Sequence, residues 1–404
     1  MRLKEKRRDP MKKARFTDWL RKEKYSILLL FLAAVLFVVL RTAVIGRAAS
    51  GPRAEDYVEY EKGRVVNILT DSTKPDETAE GMARGEQMLT AEVLSGQYRG
   101  KTLMAYNYAG PLYGVPLQEG DGVVLLISTY SSGDVRATVF EYDRIPALLI
   151  AVGLFFLVTV LVGGRRGAKS LAGLVFTVLC LFLILIPLLL KGAPTLPTVF
   201  LTCAFVAVVS FTVLGGLHRK SVCAMLGTLA GTAFAMGFGL LAQALARING
   251  YRTAEVEPLL QLRQTGVPIG LSGLLVGGII ISALGAVMDV AMSISSALEE
   301  VHAANPALGR RELFRSGMNI GRDMVGTMTN TLILAFLGSG FTLIIYLFSL
   351  GLGKYQLLSS AYAAIEVISG IASSIGMILA IPLTALISSV LLTRGKGEIK
   401  TGDA

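Results

Sequence analysis

Four polar side chains follow one another at helical spacing in the second half of the chain. Asp289, Ser293, Ser296 and Glu300 are separated by four, three and four residues. At 3.6 residues per turn, this spacing places all four side chains on one face of a helix. Ionisable groups are costly inside a bilayer and usually face a cavity, a partner or the interior of a helix bundle. This face therefore has the chemistry to bind an ion or to carry protons.

A second polar face opens the next apolar segment. Asn319, Asp323 and Asn330 share one helix face, with Gly326 between them and Thr327 beside it. The link between the two segments is short, so we expect the two helices to lie antiparallel. Their polar faces would then meet around a hydrated cavity or an ion site.

In such a site the carboxylates of Asp289 and Asp323 would be ion ligands or proton carriers. Neutral oxygens would come from polar side chains of the same two faces: Ser293, Asn319, Thr327 and Asn330. Secondary candidates are the charged neighbours and a carboxylate in the last apolar segment: Glu299, Arg322 and Glu366. The pattern does not specify a metal ion.

A structural explanation competes with the functional one for each residue taken alone. Asp323 can pair with Arg322 or with another arginine at the cytoplasmic interface, Glu299 and Glu300 can be solvated, and Asn330 can pack between helices. For the set as a whole we favour a functional site, because carboxylate and carboxamide groups repeat on one face of two successive helices.

The elements that carry these faces are predicted to be membrane helices. Hydrophobic residues make up 53% of the 404 residues and charged residues only 17%, more apolar surface than a water-soluble fold can bury. About 20 apolar residues span a bilayer as a helix, and eight stretches approach that length. They run from Tyr25 to Ile45, Ile145 to Val162, Ser170 to Leu190, Leu196 to Gly216, Ser221 to Ala246, Val267 to Met288, Met324 to Leu350 and Val367 to Thr393.

The positions of the basic residues predict how these helices are oriented. Residues 1–25 carry eleven Lys and Arg against four acidic residues, and basic segments stay in the cytoplasm. We therefore expect a basic cytoplasmic leader at 1–24, an N-terminal anchor at 25–45, a seven-helix membrane domain at 145–393 and a cytoplasmic tail at 394–404. The net charge of +10 then reports topology, and no nucleic-acid partner is expected.

Residues 54–143 are predicted to be exported and rich in β-structure. The segment contains fifteen acidic and seven basic residues, and alternating β-prone runs recur between glycine-containing turns. Five such runs predict a small OB-like barrel or a sandwich. Two roles are open to its tyrosines at 98, 106, 108 and 113: a binding face, or packing in the core and at strand edges, which we favour.

Catalytic motifs do not gain support from the sequence. Gly270-Leu271-Ser272-Gly273 matches a GxSG serine-protease pattern, but neither His218 nor His302 is placed to activate Ser272. The three cysteines lie within apolar runs and offer no metal-binding pair. We therefore expect a protein that is not an enzyme and has no cofactor.

Three stretches of the polar region resemble a known family. Asp289–Glu300 reads DVAMSISSALEE, Ser316–Asp323 reads SGMNIGRD and Gly326–Leu332 reads GTMTNTL. They are similar to the signature region of the YibE/F-like family of bacterial multi-pass membrane proteins. The resemblance is strongest from Gly266 to Leu334 and implies a bacterial plasma-membrane protein with an N-terminal anchor, an exported domain and seven further helices. It also implies association with a second copy or a related membrane subunit.

Two functions follow from these observations. The first is a transporter or permease for an ion or small solute, with a polar intramembrane site on helices 6 and 7. The second is a membrane-anchored sensor or envelope assembly factor that acts through its exported domain.

Overall fold

The computed structural model describes residues 57–130, 133–252 and 256–393. They fall into two compact units, divided between residues 162 and 163. The predicted leader at 1–24, the first predicted span at 25–45 and the tail at 394–404 lie outside the described residues.

Strands of the first unit form a closed, barrel-like sheet. They are β1 (Tyr57–Asp71), β2 (Lys74–Pro75), β3 (Ala83–Val93), β4 (Thr102–Ala109), β5 (Gly122–Thr129) and β6 (Val135–Tyr142). The order runs β1-β3-β4-β6-β5 and returns to β1, which pairs with both β3 and β5. Only β4 and β6 run parallel among these pairs. This is the Greek-key arrangement of an OB-like barrel, so the prediction of a barrel is confirmed.

The barrel core follows from the alternation of side chains along the strands. On β4 every second residue is buried, from Ala105 to Ala109, because successive strand residues point to opposite faces. The core also holds a buried amide pair, in which Asn107 Nδ2 donates to Gln87 Oε1 at 2.9 Å. The same Gln87 oxygen accepts from the Leu117 amide at 2.8 Å, which fixes the segment between β4 and β5 against the barrel.

The regular elements in the rest of the described residues are helical. The helices are α1 (Ile145–Cys180), α2 (Ile186–Leu190), α3 (Thr195–Gly215), α4 (Arg219–Ala246), α5 (Val256–Gln264), α6 (Leu274–Ala304), α7 (Arg310–Ser339), α8 (Phe341–Ser349), α9 (Lys354–Leu358) and α10 (Ala361–Thr393). A π-helical turn at Leu181–Leu185 joins α1 to α2. Single 3₁₀ turns lie at Gly250–Arg252 and Leu271–Gly273.

The part of the chain that the structure describes does not confirm the predicted number of eight membrane helices. Among the described residues, five helical stretches are long and apolar enough to span a bilayer, or six if the bent pair α7–α8 forms one span. One of the five, Ile145–Leu190, has 46 residues and covers two predicted spans. Between these two predicted spans the helical backbone is broken at Gly164, which has φ 53° and ψ −134°.

Two predicted spans also have different boundaries. The span predicted at Val267–Met288 begins as a helix only at Leu274 and continues to Ala304. The span predicted at Met324–Leu350 begins at Arg310 and bends by 59° between Ser339 and Phe341. The length of an apolar run does not show whether a helix continues with polar turns beyond the membrane span. It also does not show whether the helix bends within the span.

Helices α4, α6 and α10 form the centre of the second unit and approach one another at small residues. A Cβ on Gly231 of α4 would lie 2.8 Å from Val287 Cγ1 on α6 and 2.7 Å from Ala380 Cβ on α10. The backbone of Gly231 also lies directly against Gly376 of α10. Small residues allow membrane helices to pack at close range without a hydrophobic driving force between them.

Candidate functional site

The predicted polar face of α6 exists and lies at the surface of the chain. Asp289, Ser293 and Glu300 are exposed and Ser296 is half-buried, whereas their neighbours Val290 and Ile294 are buried. The helical spacing in the sequence therefore identified one face correctly. Asp289 lies 15 residues after Leu274, about 22 Å along the helix at 1.5 Å per residue.

The polar face of α7 lies at the surface as well. Asn319, Asp323, Thr327 and Asn330 are all exposed, and all four lie away from the residues by which α7 packs on its neighbours. The buried residues of α7 are Leu313, Gly317 and Gly321.

Contact between α6 and α7 is apolar. A Cβ on Gly317 would lie 2.9 Å from Leu298 Cδ1, and one on Gly321 would lie 3.5 Å from Ile294 Cδ1. These two pairs give an antiparallel register in which Ser296 is level with Asn319. The two helices are antiparallel as predicted, but the two polar faces lie outside their contact rather than enclosing a cavity between them.

Glu299 takes part in the packing of α6 on α4. Its Oε2 lies 2.9 Å from Lys220 Nζ, in an ion pair that is partly exposed on both sides. One turn earlier, Ser295 is buried and its hydroxyl donates to the Lys220 carbonyl at 2.6 Å. These two contacts fasten the start of α4 to α6, so Glu299 has a structural partner instead of being simply solvated.

Arg322 and Asp323 are adjacent in sequence, but their side chains have different environments. Arg322 lines a cavity beside α10 with three other arginines, and Asp323 is exposed on the polar face. Within the ranges that the structure describes, no ion pair joins them. The ion pair between Asp323 and Arg322 that would have explained Asp323 structurally is therefore not formed in the described part of the chain.

Glu366 lies beside the bend between α7 and α8. It is half-buried and lines a cavity of about 420 Å³ whose other lining is almost entirely apolar. Its Oε2 lies 3.5 Å from the place that a Cβ on Gly340 would occupy. The missing side chain at Gly340 thus lets a carboxylate approach a break in a helix.

A cluster of buried hydroxyl side chains at the α4–α10 contact was missed by sequence reasoning. Ser221, Thr228, Thr384 and Ser388 are fully buried. In the described part of the chain the first three hydroxyls find no hydrogen-bond partner, whereas Ser388 lies beside the Cys223 thiol. Neutral side chains inside apolar runs do not stand out from the sequence. The four-residue spacing of Thr384 and Ser388 is the only signal that could have pointed to them.

On the barrel, one of the four predicted packing tyrosines is buried. Tyr98 is 8% exposed, and its hydroxyl lies 2.9 Å from Thr129 Oγ1. Tyr106, Tyr108 and Tyr113 are 44%, 47% and 61% exposed, so these three do not lie in the core. The outward face of β4 therefore presents aromatic side chains to its surroundings.

One carboxylate of the barrel has strongly altered acidity. Asp76 accepts hydrogen bonds from the Thr78 hydroxyl at 2.6 Å, the Thr78 and Ala79 amides at 2.8 and 2.9 Å, and Arg84 Nε at 2.8 Å. These donors, with the Thr78 hydroxyl foremost, stabilise the charged form and lower the pKa of Asp76 to about 2. The loop between β2 and β3 is organised around this charge.

Comparison with known proteins places the helical region in a family. No curated protein and no solved structure matches the chain. The model of the family described as YibE/F-like protein matches residues 151–394, more than half of the 404 residues. The match contains both polar faces, the bend at Gly340 and Glu366, whereas the barrel lies before it. The chain therefore belongs to the YibE/F-like family.

Proposed function

We propose that this protein is a transporter or permease of the bacterial plasma membrane rather than an enzyme, moving an ion or small solute. The observation that carries the proposal is the pair of exposed polar faces on α6 and α7. Each has an aspartate near the middle of its helix: Asp289 in the 31 residues of α6 and Asp323 in the 30 residues of α7.

Bilayer energetics support this assignment. A carboxylate facing lipid tails is costly, by roughly 2.5–3.5 kcal/mol at the centre of a helix on insertion scales. Asp289 and Asp323 are nevertheless exposed on helices of membrane-spanning character. A water-filled path along the two faces would solvate both groups and give an ion its ligands.

The bend between α7 and α8 provides a second argument for transport. Transporters often bind their substrates where a membrane helix is interrupted, because the break frees backbone groups. Here the 59° bend has the Glu366 carboxyl group beside Gly340. Two polar regions on one helix, at Asp323 and at Gly340, suit a path with more than one site.

The path requires a second membrane subunit, since the polar faces of a single chain are open to the side. A second copy of this chain, or a related family member, would cover them and exclude lipid. Beyond Gly321, α7 contains no buried residue within the described chain, so this part of the helix has surface available for a partner.

We propose the following membrane topology for this chain. A helix of 46 residues would be about 69 Å long, more than twice the hydrocarbon thickness of about 30 Å. Gly164, with φ 53° and ψ −134°, breaks the helical backbone of α1 and would divide the stretch into two spans. Counting α7–α8 as one span, the membrane domain then has seven helices, with the barrel outside and both termini in the cytoplasm.

Proteoliposomes test the transport proposal directly. The full chain is reconstituted with an internal pH dye, and proton flux and radioactive Na⁺ uptake are measured under imposed ion gradients. We expect gradient-driven flux of one of these ions in the wild type, and its loss in Asp289→Asn and in Asp323→Asn. Glu257→Gln, the same chemical change at an exposed carboxylate of α5, is the matched control and should keep the flux.

Two results would contradict the proposal. One is full flux in both aspartate variants, each shown to be folded by its elution as a single species in detergent. The other is the absence of flux of either ion from wild-type vesicles whose orientation and protein content have been verified.

A second candidate function is favoured by the exposed aromatic face of the barrel. Met104, Tyr106 and Tyr108 alternate along β4 and are 54%, 44% and 47% exposed. Such a strip on a domain exported from the cytoplasm would suit a sensor or assembly factor that binds an envelope partner. Complementation of a deletion strain by Tyr106→Ser/Tyr108→Ser distinguishes the two functions: loss of complementation with intact ion flux would favour the sensor.

A further inference from the structure

A cavity rich in arginine lies between the first half of α7 and the last turns of α10. Its volume is about 580 Å³, and four arginines line it: Arg310, Arg311, Arg315 and Arg322. Arg311, Arg315 and Arg322 are spaced by four and seven residues, which places them on one face of α7. Four guanidinium groups therefore converge on one space.

Among the described residues, no acidic side chain neutralises the positive charge of this cavity. Its lining contains no acidic residue, and across residues 57–130, 133–252 and 256–393 none of the four arginines forms an ion pair. Arg310 donates from Nε to Thr393 Oγ1 at 3.2 Å, a neutral acceptor. Arginine stays charged at any physiological pH, so the cavity has a standing attraction for an anion.

The rest of the lining is mainly apolar. Phe314 and Met318 of α7 face Leu386 and Val390 of α10 across the cavity. A small inorganic anion would gain nothing from these four side chains. A ligand with a charged head and a hydrocarbon chain would use both parts of the cavity.

We propose that this cavity binds the phosphate group of an anionic phospholipid, with one acyl chain against the apolar side chains. The planar guanidinium fork matches the oxygens of a phosphate and can bind it through two hydrogen bonds. In the proposed topology α7 begins at the cytoplasmic surface, where anionic headgroups lie and basic pockets between helices bind them. The cavity adjoins the proposed transport path, because Asn319 of the α7 polar face also lines it.

The proposal is tested by lipid titration of the intact full-length protein, followed by native mass spectrometry. Phosphatidylglycerol is compared with zwitterionic phosphatidylcholine of the same acyl chains. The variant Arg311→Gln/Arg315→Gln removes two charges from the cavity and leaves Arg322 in place. Each basic group near an anionic headgroup contributes roughly a fivefold gain in affinity, so the double variant should bind phosphatidylglycerol about 25-fold more weakly.

A matched control removes the same charge elsewhere in the same unit. Arg165→Gln/Arg166→Gln changes two exposed arginines that our topology also places at the cytoplasmic surface but that do not line the cavity. It should keep the wild-type affinity for phosphatidylglycerol. Equal losses in the two double variants would show general charge attraction and would overturn the cavity as the site.

Two further measurements test whether the occupant is a lipid and whether it lies in this cavity. Thermal unfolding with inorganic phosphate alone should show no stabilisation that depends on Arg311 and Arg315; if it does, free phosphate rather than lipid is the occupant. Phe314→Trp keeps all four arginines and, with the native Trp19 replaced by Phe, serves as a fluorescent reporter inside the cavity. Brominated phosphatidylglycerol should quench it more than brominated phosphatidylcholine at equal mole fraction, and equal quenching would contradict the proposal.

Discussion

The close contact of α4, α6 and α10 predicts a large effect for one of the smallest possible substitutions, Gly231→Ala. The added Cβ would lie 2.7 Å from Ala380 Cβ, 2.8 Å from Val287 Cγ1 and 3.0 Å from the Gly376 carbonyl oxygen. Carbon atoms pack best at about 3.5–4.0 Å, so the new atom on α4 overlaps atoms of α6 and α10 by up to about an ångström.

The cost of this overlap follows from overpacking in rigid interiors. Forcing an extra methyl group into a filled core costs about 1–3 kcal/mol, and here the backbone oxygen cannot move aside alone. A loss of about 2 kcal/mol corresponds to a fall of roughly 4–8 °C in the unfolding temperature for a domain of 150–250 residues. We expect a fall of this size for the full chain in detergent, measured by thermal unfolding at constant protein and detergent concentrations.

Gly237 provides the matched control on the same helix. Nothing lies within 4 Å of the position that its Cβ would take, so Gly237→Ala should be neutral or stabilise by up to about 1 kcal/mol through helix propensity. Adding Ala380→Gly to Gly231→Ala removes one of the overlapping atoms and should recover part of the loss. Equal unfolding temperatures for Gly231→Ala and Gly237→Ala would refute the close approach of these helices.

Three further predictions concern polar contacts. Glu299→Gln removes a partly exposed ion pair with Lys220 and should cost less than about 1 kcal/mol, an effect that high salt should erase in thermal unfolding. Ser373→Ala removes the 2.9 Å hydrogen bond to the Ser282 hydroxyl and should cost about 1 kcal/mol; no change would show that Ser282 finds another partner. Asp76→Asn should lower stability near neutral pH. Because the pKa of Asp76 falls from 3.8 to about 2 on folding, its contribution is complete above pH 4 and is lost between about pH 4 and pH 2. An Asp76→Asn deficit that persists at pH 2 would contradict this linkage.

Periodicity made part of this architecture predictable. The face of Asp289 and Ser293 on α6 was identified because a helix repeats every 3.6 residues and polar groups stand out in an apolar run. Alternation with a period of two likewise identified the main barrel strands. Both signals are local and therefore survive in a single sequence.

Contacts between elements were beyond the reach of those signals. The polar faces of α6 and α7 were expected to meet, but Gly317 and Gly321 bring the two helices together through Leu298 and Ile294 instead. The hydropathy of a glycine does not reveal whether the residue permits a turn, a bend or a close approach of two helices. The bend at Gly340 could not be predicted for the same reason. Which face of a strand points into the barrel depends on how the strands close the sheet. The sequence alone therefore did not decide whether Tyr106 lies in the core or on the surface.

Pro382 makes α10 easier to bend at one turn. Proline has no amide hydrogen, so the Ile378 carbonyl lacks its helical partner at that position. Ile381 beside it lies against Gly321 of α7, and Thr384 lies against Gly227 of α4. The helix therefore lacks one backbone hydrogen bond at the turn where it touches both neighbours. Ala361 is 21 residues away, about 32 Å along the helix, so a 10° change of bend would displace that end by roughly 5 Å. A small rotation felt by α4 and α7 at one level would become a large displacement beside Glu366.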